Sequence, residues 1–553
     1  MRPRVGTILR TLRHLRPRQA LHQAAHLLRG APHPATWRGA PPALAATAPP
    51  AAFLGAPAHA RAAAGAGRWT LRLLNREVVF GGRIDWDHAG SGPLWAFHLH
   101  QFDWARGSGL DAAARGEAVL DWIERHHAGT GWLAGPISLR ALAWLKLLAT
   151  PGALRLCDAE RARVRASLAA QLDTLESHLE MRLLANHYLS NLLALVAGGV
   201  ALEGPGAGRW LRHAPAFLDQ LDEQVLSDGG HFERSPMYHA LLLENLLDLL
   251  NLVRAAPGRA PAALEAALRE ASARMLGALR VYTHPDGEIA LFADSALGVA
   301  HPPAALAGYA RALSVQARAP ARTGVLDATG YARLAAGPWS VLVSLAAPMP
   351  AYQPGHAHAD ALAFELCVGG ERVVTDTGVC EYVAGVRRQR ARATRSHATL
   401  EVGGRDQAEL WAAHRVGGRP RVRVESLEPG RRVEATCAGW ATLKTLHRRV
   451  FEFAGPDLVL VDTLEGRPRP VRLTLPLAPG LEAELAGSRA RVALATGGAL
   501  EIDLPDARWG RESLDYYPEF GRCIERAALV GRAERGGRLV WRFRILGRRR
   551  DAG

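Results

Sequence analysis

The chain has 553 residues, 48% hydrophobic and 22% charged, with a formal net charge of +15. That length exceeds one ordinary core and predicts two or three domains, and the composition excludes a disordered or fibrous protein. No apolar run reaches the ~20 residues of a membrane span, so what the charge invites is a polyanionic partner, nucleic acid or an acidic glycan.

Two readings of that charge stand side by side. Lys146 and Lys444 are the only lysines, the other cations are arginine, and Ala, Gly and Pro are abundant throughout; GC-rich coding produces this pattern, and so does an acidic ligand. Both lysines follow leucine, which excludes the G-K-[ST] of a phosphate-binding loop. The five cysteines (Cys157, Cys367, Cys380, Cys437 and Cys523) are scattered without a C-x-x-C pair and read as buried, reduced thiols.

In chain order, the basic opening MRPRVGTILRTLRHLRPRQALHQAAHLLRGAP is broken by charge every few positions and lacks the apolar stretch of a secretory signal. A cytoplasmic location is the first expectation and a periplasmic one the second. The arm reads as a solvated helix, with an amphipathic helix lying on an anionic membrane or a partner as the alternative. Residues 31–66, rich in Pro, Ala and Gly, read as a linker. Apolar residues then recur at helical spacing, as in LRALAWLKLLAT and MYHALLLENLLDLLNLVRAA. From about residue 329 the texture changes to short alternating runs such as WSVLVSLAA and RRVFEFAGPDLVLVDTLEG, punctuated by Gly, Pro and Asp. Helices followed by strands, without alternation, predict two domains packed side by side. The expected division is an arm over 1–66, a helical domain over 67–325 and a β domain over 326–553.

Three stretches place polar residues where apolar ones are expected. In LLANHYLSNLLALVAGG, Asn186, His187, Ser190 and Asn191 form one stripe of an otherwise apolar helix, lining a wet cavity or facing solvent. In GGHFERSPMYHALLLENLLDLL, Ser235 can cap a helix that Pro236 begins, which puts Tyr238 in the first turn with Leu242 and Asn245 on its stripe. In YQPGHAHADALAF, an extended backbone would turn His356, His358 and Asp360 to one face. Asp376 and His397 follow, and two histidines with a carboxylate suit a divalent metal such as zinc. A plain hairpin at Gly369 and Gly370 would carry Asp376 away from His358, so the chain must leave the ladder if they are to meet.

The blocks LLANHYLSN, GGHFERSPMYH, HPDGEIALFADS, GHAHADALAFEL, VVTDTGVCEY and RSHATLEVGG, in this order and preceded by IDWDHAGSGPLWAFHLHQFDWA, resemble the heparinase II/III-like polysaccharide lyases, relatives of the alginate and oligoalginate lyases. The resemblance runs over roughly residues 70–480 and implies an α+β multidomain fold, an incomplete (α/α) toroid followed by an antiparallel β-sandwich domain. It implies β-elimination on a uronate-containing acidic polysaccharide or oligosaccharide, and leaves no role for nucleic acid. Asn186 would neutralise the uronate carboxylate with His187 beside it, Tyr238 would be the general acid/base and His356 the second, and His358, Asp376 and His397 would hold zinc. Glu233, Arg234 and Asn245 would meet substrate, and in VAGVRRQRARATRSH the residues Arg387, Arg388 and Arg392 read either as bidentate holders of its carboxylates or sulfates or as a solvated basic loop. Three positions beside the expected metal ligands depart from the family pattern: Ala363 for Ser, Ala398 for Asn and Thr377 for Pro.

The chemistry explains the residue types. Elimination removes the weakly acidic C5 proton beside an ionised carboxylate and expels the C4 oxygen, so an amide must stabilise the developing enolate-like charge while phenol or imidazole moves the proton. Two other readings remain: a glycoside hydrolase on a similar toroid with Asp228 and Glu233 as its carboxylate pair, and a non-catalytic acidic-glycan-binding protein linked to polysaccharide biosynthesis.

Overall fold

Three helices that are apolar on nearly every side, Ala134–Ala149, Ala185–Ala201 and Pro236–Ala255, are buried over almost their whole length, as a helix without a polar face must be. Helices Asp158–Ser177 and Ala262–Tyr282 pack outside them with polar residues outward. The result is the two-layered wall of a toroid. The computed structural model describes residues 4–29, 34–440 and 443–547.

The helical half ends with Pro303–Ala312 and the strands of the second half begin at Val325–Leu326, with one short α-helix, Val386–Arg392, among them. A five-stranded antiparallel sheet runs from there to Glu371–Val374 with its strands in chain order, the long loop 345–363 joining the third to the fourth. An eight-stranded and a four-stranded sheet follow. In Thr445–Ala454 buried and less buried residues alternate strictly, the mark of a strand with one face in a sandwich core. Val341, Phe364, Phe451, Leu473 and Phe543 belong to that core.

The arm and linker differ from expectation. Val5–Leu12 and Pro17–Arg29 are two helices latched to both halves of the molecule. Arg10 grips Glu409 through Nε (2.7 Å) and Nη2 (2.6 Å), and Trp411 donates to Thr11 Oγ1 at 3.1 Å. Arg16 pairs with Glu223 and lies 3.8 Å over the Tyr352 ring, and Gln19 donates to the Leu183 carbonyl. The division drawn at residue 66 cuts a hairpin in which Ala60–Gly65 pairs with Arg68–Leu73. Small residues signalled a linker, yet ladder pairing uses backbone groups, and Trp69, Leu71 and Leu73 on the partner strand supply the buried side chains. Residues 1–3 of the arm and 30–33 of the arm and linker lie outside the described residues. The cysteines are all free, but Cys157 and Cys523 are exposed.

Candidate active site

The segments that bring polar side chains to the junction of toroid and sandwich contain residues with left-handed backbone. Leu184 (φ 59°) and Ala185 (φ 50°) precede Asn186, Arg234 (φ 62°) follows Glu233, and Ala293 (φ 56°) precedes Asp294. Such conformations cost ~1–3 kcal/mol each in a residue with a β-carbon and persist only where the surroundings hold them. Here the holding contacts are those of the site itself.

Asn186 opens the inner helix with its backbone N–H directed to Glu233 Oε1 (3.2 Å) and its Nδ2 donating to Glu233 Oε2 (2.9 Å). The same Nδ2 lies 3.5 Å from His356 Nε2. On the next inner helix Ser235 accepts from the Tyr238 N–H at 3.2 Å, with Pro236 opening the first turn. The Tyr238 ring stacks on His356 at 4.0 Å between centroids, and its hydroxyl is 3.0 Å from that of Tyr382. Residues 356–360 are loop, not strand, because His356 and His358 are each drawn to one buried carboxylate: Asp294 Oδ2 takes His356 Nδ1 and Oδ1 takes His358 Nε2, both at 2.9 Å. Arg388 closes the arrangement with a bidentate pair to both oxygens of Asp294.

Electrostatics assigns protons. Burial opposes the charge on Asp294, but Arg388 and the two imidazoles hold its carboxyl well below the usual range. An ionised Asp294 can only accept, so His356 carries a proton on Nδ1, and in the neutral ring Nε2 is the free lone pair. Its lone pair faces the Asn186 amide. Loss of solvation pushes both the Glu233 carboxyl and the Tyr238 phenol up. Burial alone would lower His187, but Glu180 at 3.3 Å raises it above its ordinary value.

Behind this layer His358, Asp376 and His397 are sealed from solvent, with their ligating atoms within 4.8 Å of one another. The strand Glu371–Val374 leaves its ladder after a register shift, and that exit delivers Asp376. His397 Nδ1 lies 2.9 Å from Asp376 Oδ2. His358 Nδ1 and His397 Nε2 are buried without any hydrogen-bond partner, and two orphaned imidazole nitrogens beside a carboxylate fit a divalent cation. Thr377 in the family's proline position has a consequence: its backbone N–H donates to Asp376 Oδ1 at 2.8 Å, a bond proline cannot make. A second group, Asp294, His356 and His414, is as compact, but both Asp294 oxygens are already bonded by Arg388 and the two histidines.

Several expected substrate contacts lie elsewhere. Glu233 is buried beneath Asn186. The half-buried Arg234 donates to the carbonyls of Ala347 (2.6 Å) and Ala328 (3.5 Å), joining the toroid to the strand half. Arg388 is consumed by Asp294, and Arg392, also buried, donates to the carbonyls of Ala357, Ala412, Ala413 and Arg415. Arg387 alone of the three is exposed, and with Arg76, Trp95, Glu381 and Tyr382 it lines a cavity of about 230 Å³. Asn245 is half-buried two turns beyond Tyr238 and makes no side-chain hydrogen bond among the described residues. Asn191 leaves the expected stripe: it is buried, accepts from the Glu180 N–H and donates to Ser138. Asp228 is saturated by Gly230 and Thr329, so the Asp228–Glu233 hydrolase pair is not poised for a substrate.

The profile described as heparinase II/III N-terminus matches residues 167–314, and that described as heparinase II/III-like, C-terminal matches residues 318–529. The chain belongs to the heparinase II/III-like family. Among solved structures it is similar to heparinase III (18% identity, TM-score 0.68, 86% of this chain and 81% of that one). It is also similar to a mutant heparan sulfate lyase from Pedobacter heparinus (18%, TM-score 0.59, 85% and 80%). At such identities the likeness establishes the fold, toroid followed by sandwich. A relative named FtsZ-localized protein C, from Caulobacter vibrioides, is 29% identical over 305 residues, 54% of this chain; the chain spans about half the length of that relative.

Asp294, Tyr382 and His414 escaped the sequence reading. Asp294 had a signal, an acid inside the apolar run EIALFADS. Tyr382 and His414, whose rings lie 5.2 Å apart, stand in loops, where nothing in the local pattern sets them apart.

Proposed function

We propose that this member of the heparinase II/III-like family is a polysaccharide lyase that cleaves a uronate-containing acidic glycan by β-elimination at the junction of toroid and sandwich. The observation that carries the reading is the meeting of an amide, a phenol and an imidazole from three distant segments, with the imidazole's tautomer imposed by Asp294. Asn186 stabilises charge on the uronate carboxylate, its amide anchored by Glu233. His356 Nε2, in the neutral ring, takes the C5 proton. The Tyr238 phenol, protonated at neutral pH as phenols are, gives a proton to the departing C4 oxygen and is oriented by Tyr382. His187 and Arg387 stand where further acidic groups of the polymer can be met.

His358, Asp376 and His397 are the residues that would hold a zinc ion. Such an ion would neutralise Asp376 and tie the 356–360 loop to the strand exit at 376 and to the 394–397 turn, keeping His356 in place through their shared connection to Asp294.

The test is new ultraviolet absorbance from an unsaturated uronate when the protein is incubated with alginate, heparan sulfate, hyaluronan and related polymers. At least one polymer should give it, and Tyr238→Phe and His356→Ala should each lower the rate by ~100-fold or more. Saturated products would favour a hydrolase. Polymer bound unchanged, with binding retained in Tyr238→Phe, would favour a non-catalytic binding protein.

A further inference from the structure

The two latched helices of the arm are amphipathic in an inverted sense. Polar and small residues of Val5–Leu12 face the protein: Arg10 and Thr11 make the contacts to Glu409 and Trp411, and a β-carbon at Gly417 would come within 2.9 Å of Thr7. The apolar residues face outward. Val5, Ile8, Leu9 and Leu12, spaced i, i+3, i+4 and i+7, form one stripe, with Val5 74% and Leu9 61% exposed. On Pro17–Arg29 the buried Gln19 makes the contact, while Leu21, Leu27 and Leu28 are exposed, Leu28 to 88%. These side chains are seven of the twelve large hydrophobics exposed among the described residues, so the apolar surface is concentrated on about one-twentieth of the chain.

The arm itself carries charge of one sign. No Asp or Glu occurs before Glu77. On the helical wheel Arg4 and Arg13 flank the first stripe and Arg18 flanks the second, where a long cationic side chain can reach past the apolar edge. The acids that meet the arm, Glu409 and Glu223, are each paired with an arginine of it.

We infer that the outward face of residues 5–28 is a peripheral docking surface for an anionic lipid bilayer. An apolar stripe bordered by arginines and free of acids matches the interface between acyl chains and anionic headgroups. Arginine alone would serve an acidic polymer, but exposed leucines at helical spacing would not. The latch is what sets the arm apart from a flexible tail: because Arg10 holds the strand half and Arg16 the helical half, docking fixes the orientation of the whole molecule on the surface. Among the described residues no helix is long and apolar enough to cross a membrane, so the contact lies on the bilayer.

Flotation of the full chain with phosphatidylcholine vesicles, with and without phosphatidylglycerol, tests it. The protein should float with the anionic vesicles at least ~10-fold more than with the neutral ones. Leu9→Glu combined with Leu28→Glu should abolish flotation, and Arg13→Glu combined with Arg18→Glu should reduce it ~10-fold at low salt, with melting temperature and cleft activity unchanged in both. Equal flotation with both vesicle types, or flotation that survives the leucine substitutions, would overturn the inference. So would a lipid-free dimer that the leucine substitutions turn into monomer, since the stripe would then be covered by a second copy.

Discussion

His356 and His358 stand two residues apart and share one carboxylate, yet they are placed for different work. The His356 side chain is 12% exposed and turns Nε2 toward the Asn186 amide at the domain junction; the His358 side chain is 0% exposed and turns an orphaned Nδ1 toward Asp376 and His397. Solvent reaches the first and not the second. Neighbouring arginines repeat the contrast, with Arg387 open to the cavity and Arg388 locked on Asp294. What separates the members of each pair is access, which neither residue type nor spacing encodes.

The change expected to break the comparison most completely is Asp294→Asn. It leaves the Arg388 cation buried without its counter-charge and frees the tautomers of both histidines, so stability should drop by ~3–5 kcal/mol in denaturant titrations and the lyase rate by ~10³-fold. Equal loss of rate with unchanged stability would mean that Asp294 is not the shared anchor. His358→Ala should separate the two roles: bound zinc, read by elemental analysis, should vanish and stability fall by ~2–3 kcal/mol, while turnover at a temperature where the variant is folded falls less than in His356→Ala. Arg387→Ala should raise KM several-fold and leave the melting temperature within a degree or two, as expected for an exposed cation; the reverse outcome would place Arg387 in the framework.

A pH-dependent effect comes from other imidazoles that burial holds neutral, one of them His239 beside Tyr238. Burial pushes His98 down to about 3 and His126 and His239 down to about 4. Their folded values lie below the ordinary ~6.5, so below that pH the unfolded chain binds more protons than the folded one. Stability should be level above about pH 7 and decline as pH falls from 6.5 toward 4, by up to ~1.4 kcal/mol per unit for each such group. A melting temperature that stays level from pH 7 to 4 would contradict their burial as neutral rings.

Much of this architecture was legible in the sequence, and particular residues show where legibility ended. The apolar inner helices, the alternating strands and the Ser235–Pro236 start of Tyr238's helix are local patterns, and local patterns survive in one dimension. The roles of Asp294, Glu233, Arg388 and Arg392 did not, because a buried charge is defined by its partner, and those partners lie between 20 and 94 positions away. The arm misled for a related reason: its amphipathic period was visible, but which face would turn to the protein depended on Glu409, Trp411 and Glu223.

By itself, then, the sequence determined the order of helices and strands, the excess of arginine, and the residue types able to move a proton or bind a cation, since these follow from composition and spacing along the backbone. Tertiary structure alone decided that one carboxylate would orient two histidines, that only one of those rings would meet the junction, and that an apolar stripe would remain uncovered. Those outcomes depend on distance and water exclusion in three dimensions, and neither is a property of the chain until it has folded.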